Sequence, residues 1–209
     1  MSQLTSIRTW KGGGSMRSLI RRAAVATGAA ALIVGASAGA AAANTATPVS
    51  HLYWANNQAG TIVEANLDGT GAKTIASGLF PCGVAVDASN LYWANEAAGT
   101  IVEANLNGTG AKVIASGQAQ PLGVAVDASN LYWANFNAGT IVEANLDGTG
   151  AKVIASGKGS PYGVAVDASH LYWANESSVG TIHEAGLDGT GAKVIASRQN
   201  GPSGVAVGP

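Results

Sequence analysis

The sequence predicts an all-β fold built from four consecutive four-stranded sheets, and three observations support this. The segment Leu-Tyr-Trp-Ala-Asn begins at Leu52 and returns at Leu91, Leu131 and Leu171, at spacings of 39, 40 and 40 residues. Gly-Thr-Ile and Gly-Val-Ala-Val recur with the same period, and turn-forming residues separate the apolar segments. A period of about forty residues with four short strands is typical of one blade of a β-propeller. We therefore predict a small β-propeller of four blades.

The first 43 residues differ in composition from the rest and are predicted to be an N-terminal extension with a signal peptide. They contain five basic residues and no acidic one, and an uncharged Ala-rich run ends at Ala43. Small residues at this point suit cleavage by a signal peptidase. Met16 is an alternative start of translation. We expect a secreted bacterial protein with no membrane span after cleavage, exported by the general route or by a twin-arginine route through Arg21 and Arg22.

The remainder, residues 44–209, is predicted to be the propeller domain. Its four repeats cover residues 52–90, 91–130, 131–170 and 171–209. This part has six basic and twelve acidic residues, and its negative charge argues against a nucleic-acid partner, because phosphate binding needs clustered Lys and Arg. Cys82 is the only cysteine, so no disulfide can form within the chain. We interpret Cys82 as a small apolar loop residue.

Turn chemistry and alternation assign four strands, A to D from the inside outward, to each repeat. In the third repeat strand A is Gly123–Val126, strand B is Leu131–Ala134, strand C is Thr140–Leu146 and strand D is Ala151–Ala155. Asp147-Gly148 forms the C–D turn, because Asp-Gly readily takes the positive φ angles of tight hairpins. Proline cannot donate a ladder hydrogen bond, so Pro161 indicates a loop between strand D and the next strand A.

The two ends of the repeat region complement each other. The first repeat lacks a Gly-Val-Ala-Val strand before Leu52, whereas the last repeat ends with a spare one at Gly204–Val207. We predict that this C-terminal strand completes the first blade, so that the ring is latched by its own ends and exposes no sheet edge. Four blades is near the lower limit for propellers. An open arc and a homodimer in which two chains form an eight-bladed ring therefore remain alternatives.

The motifs together resemble the YWTD repeat, also called the low-density-lipoprotein-receptor class B repeat. The resemblance rests on Leu-Tyr-Trp-Ala-Asn, Gly-Thr-Ile, Asn-Leu-Asp-Gly and Pro-x-Gly-Val-Ala-Val-Asp, and it covers residues 50–209. It implies that the recurring Tyr and Trp pack between blades, in agreement with their fixed strand position. Two features depart from the family: Ala-Asn replaces its Thr-Asp after Tyr-Trp, and the family usually closes with six blades.

The differences between the repeats fall mainly in two loops, which join strands B and C and strand D to the next strand A. Repeats 91–130 and 131–170 differ at eight of forty positions, and six of the eight lie in these loops. Both loops leave an up-and-down blade on the same face, which indicates a binding surface on a constant scaffold, with neutral drift as the alternative. The candidate binding residues are Phe80, Glu96, Gln118, Phe136, Asn137, Lys158, Tyr162, Glu176 and Arg198.

We therefore expect a binding module for an extracellular protein or glycan. A metal-dependent lactonase-like or streptogramin lyase-like propeller enzyme is one alternative, and a structural cell-surface protein is another. The innermost strands offer mainly Gly, Val and Ala, which cannot ligate a metal. The recurring Glu of strand C occupies equivalent environments in all repeats, whereas acid–base catalysis needs unlike ones. No catalytic residue, metal or cofactor is predicted.

Two further sets of polar residues, three aspartates and three histidines, are not predicted to form metal sites. The Asp that ends strand A, present as Asp87, Asp127 and Asp167, is predicted to cap the A–B turn rather than hold a cation. The three histidines share no common spacing, so no shared metal site is predicted for them.

Overall fold

A computed structural model describes residues 50–157 and 159–208, which contain only strands, turns and loops. The predicted signal peptide, the alternative start at Met16 and the candidate binding residue Lys158 lie outside the described residues. No helix in the described part of the chain is long and apolar enough to cross a membrane.

Fifteen strands are present in the described residues, in four antiparallel sheets whose strands follow chain order. Blade 1 contains β1 (His51–Asn56), β2 (Thr61–Asn66) and β3 (Lys73–Ser77). Blade 2 contains β4 (Pro81–Val86), β5 (Asn90–Asn95), β6 (Thr100–Asn105) and β7 (Lys112–Ala115). Blade 3 contains β8 (Pro121–Val126), β9 (Asn130–Asn135), β10 (Thr140–Asn145) and β11 (Lys152–Ala155). Blade 4 contains β12 (Pro161–Val166), β13 (His170–Asn175), β14 (Gly180–Gly186) and β15 (Lys193–Gln199).

The predicted all-β, four-bladed architecture is confirmed. Strands B, C and D of the third repeat differ from their predicted bounds by one residue at one or both ends, and the largest difference is at strand A. This strand begins at the proline, two residues earlier than predicted, and a bulge follows, as between Pro161 and Val164. Proline is accepted as the first residue of a strand, because the missing N–H removes no regular ladder bond there. The proline therefore marks the start of the innermost strand rather than only the loop before it.

Adjacent blades pack through two different faces. We call the leading face the side that carries the Leu and Trp of strand B, which are Leu131 and Trp133 in blade 3. The trailing face carries the Tyr of strand B and the Ile of strands C and D, which are Tyr132, Ile141 and Ile154. An apolar core forms between each trailing face and the next leading face. The predicted packing role of the Tyr-Trp pair is confirmed, since Trp93, Trp133 and Tyr132 are essentially inaccessible to solvent.

The Asp at the end of strand A caps the A–B turn, as predicted. In blade 3 one carboxylate oxygen of Asp127 accepts hydrogen bonds from the backbone N–H groups of Ser129 and Asn130, both at 2.7 Å. The other oxygen accepts a hydrogen bond from the Tyr132 hydroxyl at 2.9 Å. The Tyr ring therefore fills the inter-blade core while its hydroxyl fixes the turn.

The innermost strands pass so close to one another that each needs a glycine at its centre. A Cβ atom at Gly83, Gly123 or Gly163 would overlap the carbonyl oxygen of the residue before the next repeat's glycine. For Gly163 that oxygen belongs to Ser203, so residues 203–205 lie beside β12 in the position of one more innermost strand. The apolar channel between these strands has a volume of about 360 Å³.

The predicted latch between the chain ends is not formed in the structure. The first sheet has three strands, and Gly204–Val207 is not assigned to any strand. A Cβ at Gly204 would have no atom within 4 Å, unlike its three equivalents. The segment follows blade 4 and packs on β12, so the described residues form an open arc of four blades, which was the alternative to a closed ring.

Candidate binding surface

The B–C and D–A loops lie side by side, as the strand order predicts. The backbone N–H of Glu96 donates to the carbonyl of Phe80 at 3.0 Å, and the N–H of Phe136 donates to Gln120 at 3.0 Å. The N–H of Glu176 donates to Ser160 at 2.9 Å. In blades 2, 3 and 4 the B–C loop is therefore bonded to the D–A loop that leads into the same blade. We call the surface that these loops form the loop face.

Glu96 is the centre of a hydrogen-bonded cluster that links three blades. One carboxylate oxygen accepts from the Gln120 amide at 2.7 Å, and the other accepts from the Asn57 amide at 3.2 Å. The Cys82 thiol lies 3.4 Å from the same oxygen as Asn57 and donates to it. Partial burial alone would raise the pKa of Glu96, but the hydrogen bonds from Gln120, Cys82 and Asn57 outweigh it and hold that pKa below its usual value. Glu96 is therefore a fixed negative charge.

Cys82 is more than a small apolar loop residue, because it belongs to this cluster. Its sulfur accepts a hydrogen bond from the Asn57 amide at 3.0 Å. Burial, followed by the hydrogen bond to the Glu96 carboxylate, raises the pKa of the thiol to about 11. The thiol is therefore protonated at neutral pH and serves as a hydrogen-bond donor.

Because the Cys82 thiol is protonated at neutral pH, we expect it to react slowly with thiol reagents. At pH 8 native Cys82 should react with a thiol reagent roughly a hundred-fold more slowly than an ordinary cysteine, because thiolate is the reactive form. The rate should rise only as the pH approaches 11. The measurement is reaction with a chromogenic disulfide across that pH range, with the same chain in urea as the control. Equal rates for the native and the unfolded chain would contradict the cluster.

Phe136 and Tyr162 form an aromatic pair beside the channel, whose wall includes Tyr162. Their ring centroids lie 6.2 Å apart at an angle of 86°, an edge-to-face contact. Burial raises the pKa of the Tyr162 hydroxyl. The negative charge that Cys82 acquires at high pH and the charges of Glu176 and Glu96 add to the rise in this pKa. The two rings, from adjacent blades 3 and 4, therefore stand next to the acidic cluster.

A cleft of about 390 Å³ lies between the loops of blades 2 and 3. Glu96, Gln118 and Asn137 all contribute to its wall. Gln118 is held in place, because its side-chain oxygen accepts hydrogen bonds from Trp133 at 2.7 Å and Asn135 at 3.0 Å. Asn137 is exposed at the rim.

The structure thus brings together six of the candidate residues, which are Glu96, Gln118, Phe136, Asn137, Tyr162 and Glu176. Phe80 is exposed on the D–A loop that follows blade 1. Arg198 is exposed too, but its predicted loop position is wrong, because β15 extends through Gln199 and includes it. Sequence reasoning missed Asn57 and Gln120 as partners of Glu96. Asn57 occupies the same repeat position as Glu96, so alignment of the residues that follow the Leu-Tyr-Trp-Ala-Asn motif is the signal that could have found it.

The D–A loops also contain unusual backbone conformations. Three non-glycine residues of the described chain have positive φ. Phe80 at 54° and Gln120 at 57° lie in these loops, whereas Arg198 at 58° lies near the end of β15. Such residues cost of order 1–3 kcal/mol each and concentrate at ligand-binding and active sites. Two of the three, Phe80 and Arg198, are candidate binding residues, and the third, Gln120, belongs to the Glu96 cluster.

The recurring glutamates of strand C have structural partners. Each forms an ion pair with the first residue of strand D, as in Glu143 with Lys152 at 3.1 Å and Glu103 with Lys112 at 3.0 Å. Within the described residues, no three His, Cys, Asp or Glu side chains are grouped so that they could hold a metal ion. The acidic groups available to chemistry at the loop face are Glu96 and Glu176.

The histidines are placed in separate environments. His51 lies 3.3 Å from Glu64 in blade 1, and His170 lies 3.6 Å from Asp167 at the A–B turn of blade 4. His183 stacks on Trp173 with the ring centroids 4.9 Å apart.

No protein-family model matches the sequence, and a search of curated proteins finds no significant match. Among solved structures, the chain is similar to a crystal structure of a nidogen/laminin complex, with a TM-score of 0.69 and 25% identity over 74% of this chain and 64% of that one. A streptogramin B lyase structure matches with a TM-score of 0.61 and 14% identity over 76% of this chain and 56% of that one.

Virginiamycin B lyase from Staphylococcus aureus matches with a TM-score of 0.62 and 13% identity, over 77% of this chain and 58% of that one. The chain thus spans less than two thirds of the length of each of these three structures. The predicted resemblance to YWTD propellers is confirmed by the nidogen similarity, and the lyase similarities concern the fold.

Proposed function

We propose that this chain is an extracellular binding module that holds a protein partner at its loop face. The observation that carries the proposal is the convergence of repeat-specific side chains at one end of the channel. Glu96, Phe136 and Tyr162 occupy positions where the repeats differ, and they form one acidic and aromatic patch. The opposite face presents nearly the same turns in every repeat.

The composition of the patch suits protein recognition. Tyr and Phe supply rigid contact area, and aromatic residues are enriched at the energetic centres of protein interfaces. The exposed side chain of Phe80, held by a backbone with positive φ, adds apolar surface at the D–A loop of blade 1. The similarity to a nidogen/laminin complex supports a protein as the first partner class to test, with a glycan as the second.

The repeats themselves provide matched variants for the test. A loop-face swap gives blade 3 and the start of blade 4 the residues of the preceding repeat: Phe136→Glu, Asn137→Ala and Tyr162→Leu. A turn-face swap does the same on the opposite face with Asp147→Asn and His170→Asn. Every new residue already occupies the equivalent position one repeat earlier, so both variants should fold.

The experiment has two stages. The wild-type protein first captures partners from secreted proteins and from a glycan array, and the strongest partner is purified. Surface plasmon resonance then measures its affinity for the three proteins. We expect the loop-face swap to weaken binding at least about ten-fold, because truncated interface centres cost about 1–2 kcal/mol or more. The turn-face swap should stay within about two-fold, and the reverse pattern would overturn the proposal.

A further inference from the structure

The two ends of the blade arc carry the same two faces that form the contact between adjacent blades, but here no described blade covers them. Between blades 1 and 2, 2 and 3, and 3 and 4, a trailing face is covered by the next leading face. The described residues include no core that joins blade 4 to blade 1. The trailing face of blade 4 and the leading face of blade 1 are therefore not covered by another described blade.

The trailing face of blade 4 is exposed where its equivalents are covered. Ile195 is 48% exposed, whereas its equivalents Ile75, Ile114 and Ile154 pack against the next blade. Ile182 is partly exposed, although the same position is fully buried in the other three blades.

The leading face of blade 1 shows the matching exposure. Leu52 is 47% exposed, while Leu91, Leu131 and Leu171 are fully buried. The C–D turn gives the same result. A Cβ at Gly148 would overlap the backbone of Ile114 in the preceding blade, whereas a Cβ at Gly69 would meet nothing within 4 Å.

The backbone at the two ends is complementary as well. Among the described strands β1 pairs with β2 only, so its other edge has the position at which each later blade receives strand A. The segment Gly204–Val207 has the sequence of strand A, follows blade 4 and has no sheet of its own. Free strand edges are templates for pairing with another chain.

We propose that a second copy of this chain docks head to tail on these ends. The trailing face of blade 4 in one protomer covers the leading face of blade 1 in its partner, and residues 204–207 add to the free edge of the partner's β1. The contact is heterologous, and two such contacts close a ring of two protomers with eight blades.

The same assembly completes the channel. Its wall consists of β4, β8, β12 and residues 203–205, and no described residue of blade 1 contributes to it. In the dimer residues 203–207 of each protomer stand in front of the partner's blade 1 as its innermost strand. The channel is then lined on all sides, by strands of both protomers.

The register of the new pair follows from the existing ones. Val86 pairs with Leu91, Val126 with Leu131 and Val166 with Leu171. Val207 should therefore lie opposite Leu52 of the second copy, at the separation of directly paired residues, which a disulfide can span. Both side chains are exposed in the single chain, so replacing them should not disturb its fold.

The test is a disulfide trap in the full chain with Cys82→Ser. The pair Leu52→Cys with Val207→Cys should give a covalent dimer under mild oxidation, and the control pair Leu52→Cys with Val194→Cys should not. Non-reducing electrophoresis with mass spectrometry separates the outcomes. A disulfide within one chain would mean that the ring closes on itself. Two free thiols would mean that no second copy docks. Either result overturns the proposal.

A second measurement does not depend on cysteines. Ile195→Asp places a charge in the proposed contact, and Val194→Asp places it on the neighbouring residue, whose equivalents Val113 and Val153 remain exposed inside the arc. Light scattering after size exclusion should give twice the mass of one chain for the wild type and Val194→Asp. Ile195→Asp should raise the dimer dissociation constant at least about ten-fold. A monomeric wild type, or equal effects of the two variants, would overturn the proposal.

Discussion

Replacing Trp133 by alanine is expected to lower the free energy of unfolding by about 3–5 kcal/mol, the usual range for a fully buried Trp or Phe. The indole has no exposed surface and lies in the core between blades 2 and 3, with Tyr92 and Ile101 on the other side. Its Nε1–H donates to the Gln118 side chain at 2.7 Å. The variant therefore leaves a large cavity and removes one of the two hydrogen bonds to the Gln118 oxygen.

The matched control is Trp54→Ala. Trp54 has the same position in blade 1, but its leading face has no preceding blade and the indole is only partly buried. The loss should be less than half of that for Trp133→Ala when both are measured by urea unfolding at low protein concentration. Equal losses would contradict the open arc.

Replacing Gly123 by alanine is expected to destabilise the protein by about 1–3 kcal/mol, the cost of overpacking a tight core. A Cβ there would overlap the carbonyl oxygen of Tyr162 and lie 2.8 Å from the backbone nitrogen of Val164. Backbone atoms of a neighbouring strand cannot turn aside as a side chain can. The innermost strands would have to separate.

Gly204→Ala is the control, and its expected effect has the opposite sign. Nothing lies within 4 Å of the new methyl group, and the residue does not have a positive φ. Alanine then stabilises by up to about 1 kcal/mol, because it reduces the freedom of the unfolded chain. Thermal unfolding of the two variants at low protein concentration is the measurement. A Gly204→Ala loss as large as that of Gly123→Ala would mean that the ring closes within one chain.

Much of the fold could be predicted because the same turn and strand motifs recur in all four repeats. The turns at Asp147-Gly148 and the alternation around Tyr132 and Trp133 fix strand positions from local chemistry alone. The bond between the Tyr132 hydroxyl and Asp127 could not be read in the same way. It depends on two side chains that meet only after strands A and B have paired.

The closure of the ring was the part that sequence alone could not decide. A spare strand at Gly204–Val207 is equally compatible with a latch on the same chain and with pairing to another chain. The choice depends on the curvature of the arc, which is set by how closely innermost strands approach each other around Gly123 and Gly163. The recurring glycine permits that approach, but its extent depends on how the blades pack, which the sequence alone does not show.

The candidate site was predicted as a surface but not as a set of contacts. Strand order was sufficient to place Phe136 and Tyr162 on the same face. It could not reveal that Cys82 and Asn57 bind Glu96, because these side chains meet only after the strands of blade 2 have paired and blade 1 has packed against blade 2. Repeat comparison finds where side chains vary, whereas only the fold shows which of them meet.

We propose above that a partner binds on the loop face. Amide hydrogen exchange, measured with and without the purified partner, is the most direct test. When the partner is bound, we expect slower exchange in the loops at residues 57–60, 96–99, 117–120 and 136–139. The C–D turns at residues 67–71, 107–110 and 147–150 should exchange at unchanged rates. Protection confined to those turns, with the loops unaffected, would contradict the claim.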